Sequence, residues 1–81
     1  MSQQNLKTKL GYTDAHSDKV YIVELKESEQ GWECVCTYGK RYNPCNVANK
    51  TKGPVLYGQA KEAYDKVIAQ KMKKGYELEP I

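Results

Sequence analysis

Tyr38, Gly39, Lys40 and Arg41 are contiguous, and together they offer a ring face, a backbone without a Cβ and two cations. That set suits a ligand carrying both rings and phosphates. A tyrosine ring stacks on a base or sugar, which contributes about 1–3 kcal/mol per base in single-strand binding. Glycine lets the backbone come close to a phosphate. Lys40 and Arg41 neutralise phosphates, although only Arg presents a planar fork that grips two oxygens. Tyr42 supplies another ring, for stacking or for packing over a sheet. Lys50 and Lys52, two residues apart, extend the cationic track if they share one face of an edge strand. The bland alternative is a hairpin corner with solvated charges and edge lysines that discourage aggregation.

Other reactive side chains fall into weaker patterns. Cys34, Cys36, Cys45 and His16 are the metal-binding types among Cys and His. Cys-x-Cys is not the Cys-x-x-Cys of zinc sites, and His16 is distant in sequence. In a strand, Cys34 and Cys36 project from one face about 7 Å apart, too far for an undistorted disulfide. They read as small buried hydrophobes. His16-Ser17-Asp18 is contiguous, which is not how a catalytic triad is assembled; local side-chain to backbone bonds in a turn fit better. No glycine-rich phosphate cradle is present. A non-enzymatic protein without cofactor or metal is expected.

The charge is unevenly distributed. Net charge is +3, yet residues 34–76 carry nine Lys or Arg against only Glu62 and Asp65. Residues 1–33 carry four Lys against six Asp or Glu. A basic segment joined to aromatic residues is the footprint of a polyanion-binding face. Seven Tyr and no Phe add amphipathic contact residues. The 81 residues allow one domain, spanning 1–81, with a thin stability margin. No apolar run is long enough to span a bilayer. Met1 to Asn5 lacks the apolar stretch of a signal peptide, and three cysteines is an odd count; a cytoplasmic, reduced monomer is expected.

The elements that must position these residues follow from hydropathy. Residues 1–5 are polar and expected to be loose. Leu6, Thr8, Leu10 and Tyr12 alternate with polar or small residues, a half-buried strand. Lys19–Lys26 has Tyr21, Val23 and Leu25 on one face, with Val20 and Ile22 on the other. Apolar residues on both faces place it centrally in a sheet. Residues 27–31 form a hairpin loop. Trp32, Cys34, Cys36 and Tyr38 share one face of a third strand, where Trp32 packs in the core or at its rim. Gly39 and Pro44 bound an irregular stretch, and 46–52 reads as a fourth, edge strand. The helix spans about 58–75. Its apolar stripe is Ala60, Ala63, Tyr64, Val67, Ile68 and Met72, its i,i+4 pair is Glu62–Lys66, and Gly75 ends it. The expected fold class is α+β: a small antiparallel sheet of four, or five, strands with one C-terminal amphipathic helix packed on one face.

On these residues the sequence resembles the WGR domain family, across about Leu10 to Tyr76. Asp18-Lys19-Val20-Tyr21 is similar to the family's Asn-Lys-Phe-Tyr entry into a strand. Tyr38-Gly39-Lys40 occupies the position of the Trp-Gly-Arg signature. Residues 59–63 and 71–76 resemble its C-terminal helix and Lys-Gly-Tyr ending. Tyr and Lys replace the signature Trp and Arg, and Arg41 to Pro44 depart from the residues that usually follow. The resemblance implies a DNA-sensing accessory module that contacts ends or nicks. In the family's poly(ADP-ribose) polymerases the signature Trp touches the terminal nucleotide and the signature Arg braces it, roles that fall by position on Tyr38 and Lys40. Arg41 then compensates for the missing Arg. The resemblance also implies an alternative, a protein-docking module without nucleic-acid binding.

Overall fold

The computed structural model describes residues 5–80. Within the expected loose segment, residues 1–4 lie outside the described residues; Asn5 is tied down, its Oδ1 accepting from the Glu27 backbone N–H at 3.1 Å. Strand β1 (Leu6–Thr13) runs antiparallel to β2 (Asp18–Ser28), and β3 (Gly31–Lys40) follows β2 through a tight two-residue turn. The hairpin loop is therefore shorter than the five residues read from composition, because Ser28 already pairs with Gly31.

Strand β4 (Asn43–Asn49) begins three residues earlier than expected and ends three earlier. Pro44 was read as a breaker. It is tolerated because the β3–β4 register shifts between Tyr38 and Lys40, so that Pro44 and Cys45 together oppose Gly39. A bulge on an edge strand needs no donor from proline. Lys50 and Lys52 consequently leave the strand and enter the turn that follows it, so they do not share a strand face. Asn49 Oδ1 anchors that turn through the backbone N–H groups of Thr51 and Lys52, each at 3.0 Å. A bridge between Trp32 and Val55 then closes the remaining edge of β3.

Helix α1 (Tyr57–Lys73) has Leu56 as its N-cap, with Gln59 Oε1 accepting from the Leu56 N–H. Its i,i+4 ion pair is Lys61–Asp65 at 2.8 Å, not the expected Glu62–Lys66. Of the expected stripe, Ala60, Tyr64 and Val67 are buried, Ala63 and Ile68 partly so, and Met72 is exposed. The helix ends in a Schellman arrangement: Gly75 N–H donates to Met72 O and Tyr76 N–H to Lys71 O. Gly75 has φ +104°, and a Cβ there would lie 3.2 Å from the Tyr12 ring, so glycine is required twice over. This reversal delivers Tyr76 to the sheet and starts β5 (Glu77–Glu79), which pairs antiparallel with β1.

The five strands form one open antiparallel sheet in the order β4-β3-β2-β1-β5, with β2 central. Directly opposed residues share a face. One face thus carries Leu10, Tyr21, Val23, Leu25, Cys34 and Cys36, all buried in one cluster with Ala60, Tyr64 and Val67 of α1. Trp32 joins it at 7% exposure, edge-on to Tyr57 at 5.0 Å. Leu10, Val23 and Leu25, fully buried, each contribute about 1.5–3 kcal/mol of transfer free energy against the entropy of ordering.

Candidate functional site

The β2–β3 register sets Lys19 directly opposite Lys40. Two cations so placed repel, and a sheet gains nothing from the pairing. Among the described residues neither makes a salt bridge. Both line a cleft of about 580 Å³ at this end of the sheet. Tyr38 and Gly39 form one wall, Asn43, Cys45 and Asn46 of the bulged β4 another, and Tyr76 closes it. Tyr38 is held by stacking on Tyr21, with centroids 5.1 Å apart and an interplanar angle of 18°. Offset stacking of this kind fixes the ring while leaving one face for another contact.

A second cleft of about 390 Å³ adjoins the first and shares Lys19 and Tyr76 with it. Lys71, Lys74, Tyr12, Ser17 and Asp14 complete its lining. Lys71 Nζ sits 4.5 Å from the Tyr21 ring centroid and 5.8 Å from that of Tyr76. Cation–π contact holds it there. Burial lowers the Lys71 pKa from its ordinary value, and the charges of Lys74 and Lys50 lower it further. The Asp14 carboxylate, the only acid in this lining, accepts from the His16 N–H at 2.8 Å and the Tyr12 hydroxyl at 2.9 Å. His16 therefore sits in a side-chain-stabilised turn.

The sequence-nominated residues divide between places. Tyr38, Gly39 and Lys40 come together in the larger cleft. Tyr42 is 92% exposed in the β3–β4 turn and does not line it. Lys50 lies beside Lys71 electrostatically, while Lys52 is held in the turn after β4 with φ +59°. Lys50 follows Asn49, the partner of Val35, which is five residues from Lys40 along β3, about 17 Å at strand rise. Arg41 is committed elsewhere. Its Nε donates to Asp18 at 2.7 Å, and Nη1 and Nη2 donate to the Glu79 carboxylate at 2.7 and 2.9 Å. Glu79 lies over Gly11, where a Cβ would collide with it. The fork that would grip a phosphate already grips a carboxylate.

Lys19, Asn43, Asn46, Lys71, Lys74 and Tyr76 were not singled out by sequence. Lys19 sits in the segment with net acidic charge, and lysines at the end of a helix suit its dipole without any ligand. The excess of tyrosine was the available signal. Among the described residues, no group of three His, Cys, Asp or Glu is placed to hold a metal ion, and no helix is long and apolar enough to cross a membrane. Cys34 and Cys36 are buried and Cys45 is exposed; all three are free thiols. Comparison with protein-family models, curated proteins and solved structures gives no match.

Proposed function

We propose that this chain is a non-enzymatic nucleic-acid-binding module of WGR-like type, its helix packed against the face that carries Leu10 and Tyr21. DNA is the preferred ligand, at ends or nicks, and the interface is the corner built by Tyr38, Gly39 and Lys40 with Lys19. The opposition of Lys19 and Lys40 carries the reading. A cross-strand pair of cations with no salt bridge among the described residues is unfavourable in the free protein and becomes favourable when a phosphate lies between them. The aromatic wall supplies contact with a base or sugar. Arg41 serves as the brace of the corner through Asp18 and Glu79.

The test is binding of a short 5′-phosphorylated duplex as salt is raised from about 50 to 200 mM, where phosphate-dominated affinity falls steeply. Lys40→Ala is expected to weaken binding and to reduce the salt slope by about one. Unchanged affinity and slope in a Lys19→Ala/Lys40→Ala double variant would overturn the reading. It would then favour protein docking, for which Leu56, 75% exposed beside Trp32 and Tyr57, is the outstanding apolar feature.

A further inference from the structure

The two clefts differ in chemistry, and the difference specifies the ligand more narrowly. The larger is bounded by the Tyr38 and Tyr76 rings and by the side chains of Asn43 and Asn46. Neither Asn amide has a hydrogen-bonding partner among the described residues. Asn49, by contrast, is fully occupied by Glu33, Thr51 and Lys52. A free amide offers a donor and an acceptor side by side, which is the complement of an exposed base edge. The smaller cleft has three cations, Lys19, Lys71 and Lys74, and its one carboxylate is turned to Tyr12 and His16. Lys71 has the Tyr21 and Tyr76 rings and the like charges of Lys74 and Lys50 around it. Lys19 and Tyr76 stand between the two spaces and belong to both.

We propose that the paired clefts receive one unpaired nucleotide, its base against the Tyr38 ring with an edge towards Asn43 and Asn46, and its phosphate at Lys71 and Lys74. The ligand is thus a single strand or a splayed terminus rather than a closed duplex. This rests on the nucleic-acid reading above and narrows it. A paired base has its Watson–Crick edge occupied and presents only its groove edges, whereas an unpaired base presents every edge to the two amides. An unpaired base has both its edge and its ring faces available, which is how proteins read single strands. The neighbouring phosphate then relieves the repulsion among Lys19, Lys71 and Lys74.

Fluorescence anisotropy on the full chain at about 50 mM salt distinguishes the possibilities. The probes are a mixed-sequence single strand of about 12 nucleotides and the blunt duplex of the same sequence. The single strand is expected to bind tighter by about tenfold or more, the worth of one stacked base. Lys71→Gln and Lys74→Gln together should lower its salt slope by about 0.7, the share of one single-strand phosphate. Asn46→Ala should reduce affinity for the single strand while leaving the salt slope unchanged, a readout that loss of charge does not produce, with an unchanged urea midpoint showing that the fold is kept. Amide shifts of the unmodified protein, titrated with the single strand, are expected at Tyr38, Asn43, Asn46, Lys71 and Tyr76. Equal or tighter binding of the duplex would overturn this inference and leave the nucleic-acid reading standing. Shifts confined to residues outside both clefts would also overturn it. Binding of neither probe would overturn both.

Discussion

Gly39 holds φ at +144°, and a Cβ built on it would lie 3.2 Å from Pro44 Cα and 3.4 Å from Cys45 N. These are backbone neighbours, so the space is not recovered by moving a side chain. The glycine is what allows the bulge that opens the larger cleft. Gly39→Ala is expected to cost about 1–3 kcal/mol, the range for a non-glycine residue held in a sparsely populated conformation. A chain of this size has about 4–12 kcal/mol of total stability, so the variant should remain folded. Urea denaturation is expected to show a lower midpoint with an unchanged slope, since little buried surface changes. A midpoint equal to that of the unsubstituted protein would mean that the bulge relaxes at no cost and that Gly39 is not needed for its shape. The same residue marks a boundary of legibility. Glycine beside aromatic and cationic residues drew attention to the corner, but its role as the bulge partner of Pro44 and Cys45 depends on a register that no local pattern encodes.

Arg41, in the β3–β4 turn, ties β2 and β5 together beside the clefts. Its backbone N–H donates to Asp18 O at 3.0 Å, while its guanidinium spans Asp18 and Glu79. The hydrogen bonds from Arg41 hold the Asp18 and Glu79 carboxyls below the usual carboxylate range. A carboxyl with a lowered folded pKa stabilises the fold above its ordinary titration range, and that contribution is lost as pH falls towards the folded value. Thermal stability is therefore expected to be flat near neutrality and to fall between about pH 5 and pH 1. Asp14, lowered by the His16 N–H and the Tyr12 hydroxyl, titrates in the same window. Glu79→Gln removes only the β5 share, so its melting temperature should depend less steeply on pH than that of the unsubstituted protein. An unchanged slope would mean that the clamp does not contribute. Much at this scale was legible. The two-faced apolar end of β2 placed it at the centre, and Gly75 marked the helix end. Glu77-Leu78-Glu79 was not legible as a strand, because three residues with one apolar side chain carry no period. Arg41 was read as a phosphate ligand for the same reason: its partner is 38 residues away and reaches it only through the β1–β5 pairing.

For the whole molecule, the cleft and the core differ in access to solvent, and the cysteines report on both. Cys34 and Cys36 have 0% exposure in the centre of the sheet, whereas Cys45 is exposed and lines the larger cleft. Alkylation by iodoacetamide under native conditions is expected to modify Cys45 alone at first. Cys34 and Cys36 should react only through opening of the core, at rates set by the population of the open state. A saturating nucleic-acid ligand acts on the two classes by different routes. It covers Cys45 directly and slows that reaction in proportion to the occupied fraction. It slows the buried thiols only by stabilising the native state, by about 2.7 kcal/mol at a ligand concentration of 100 Kd. Mass spectrometry of the three sites with and without a single strand separates these effects. Protection of Cys45 together with the buried pair places the ligand in the cleft. Protection of Cys34 and Cys36 with no change at Cys45 means that the ligand binds the folded chain elsewhere, and the basic corner is then a solvated surface.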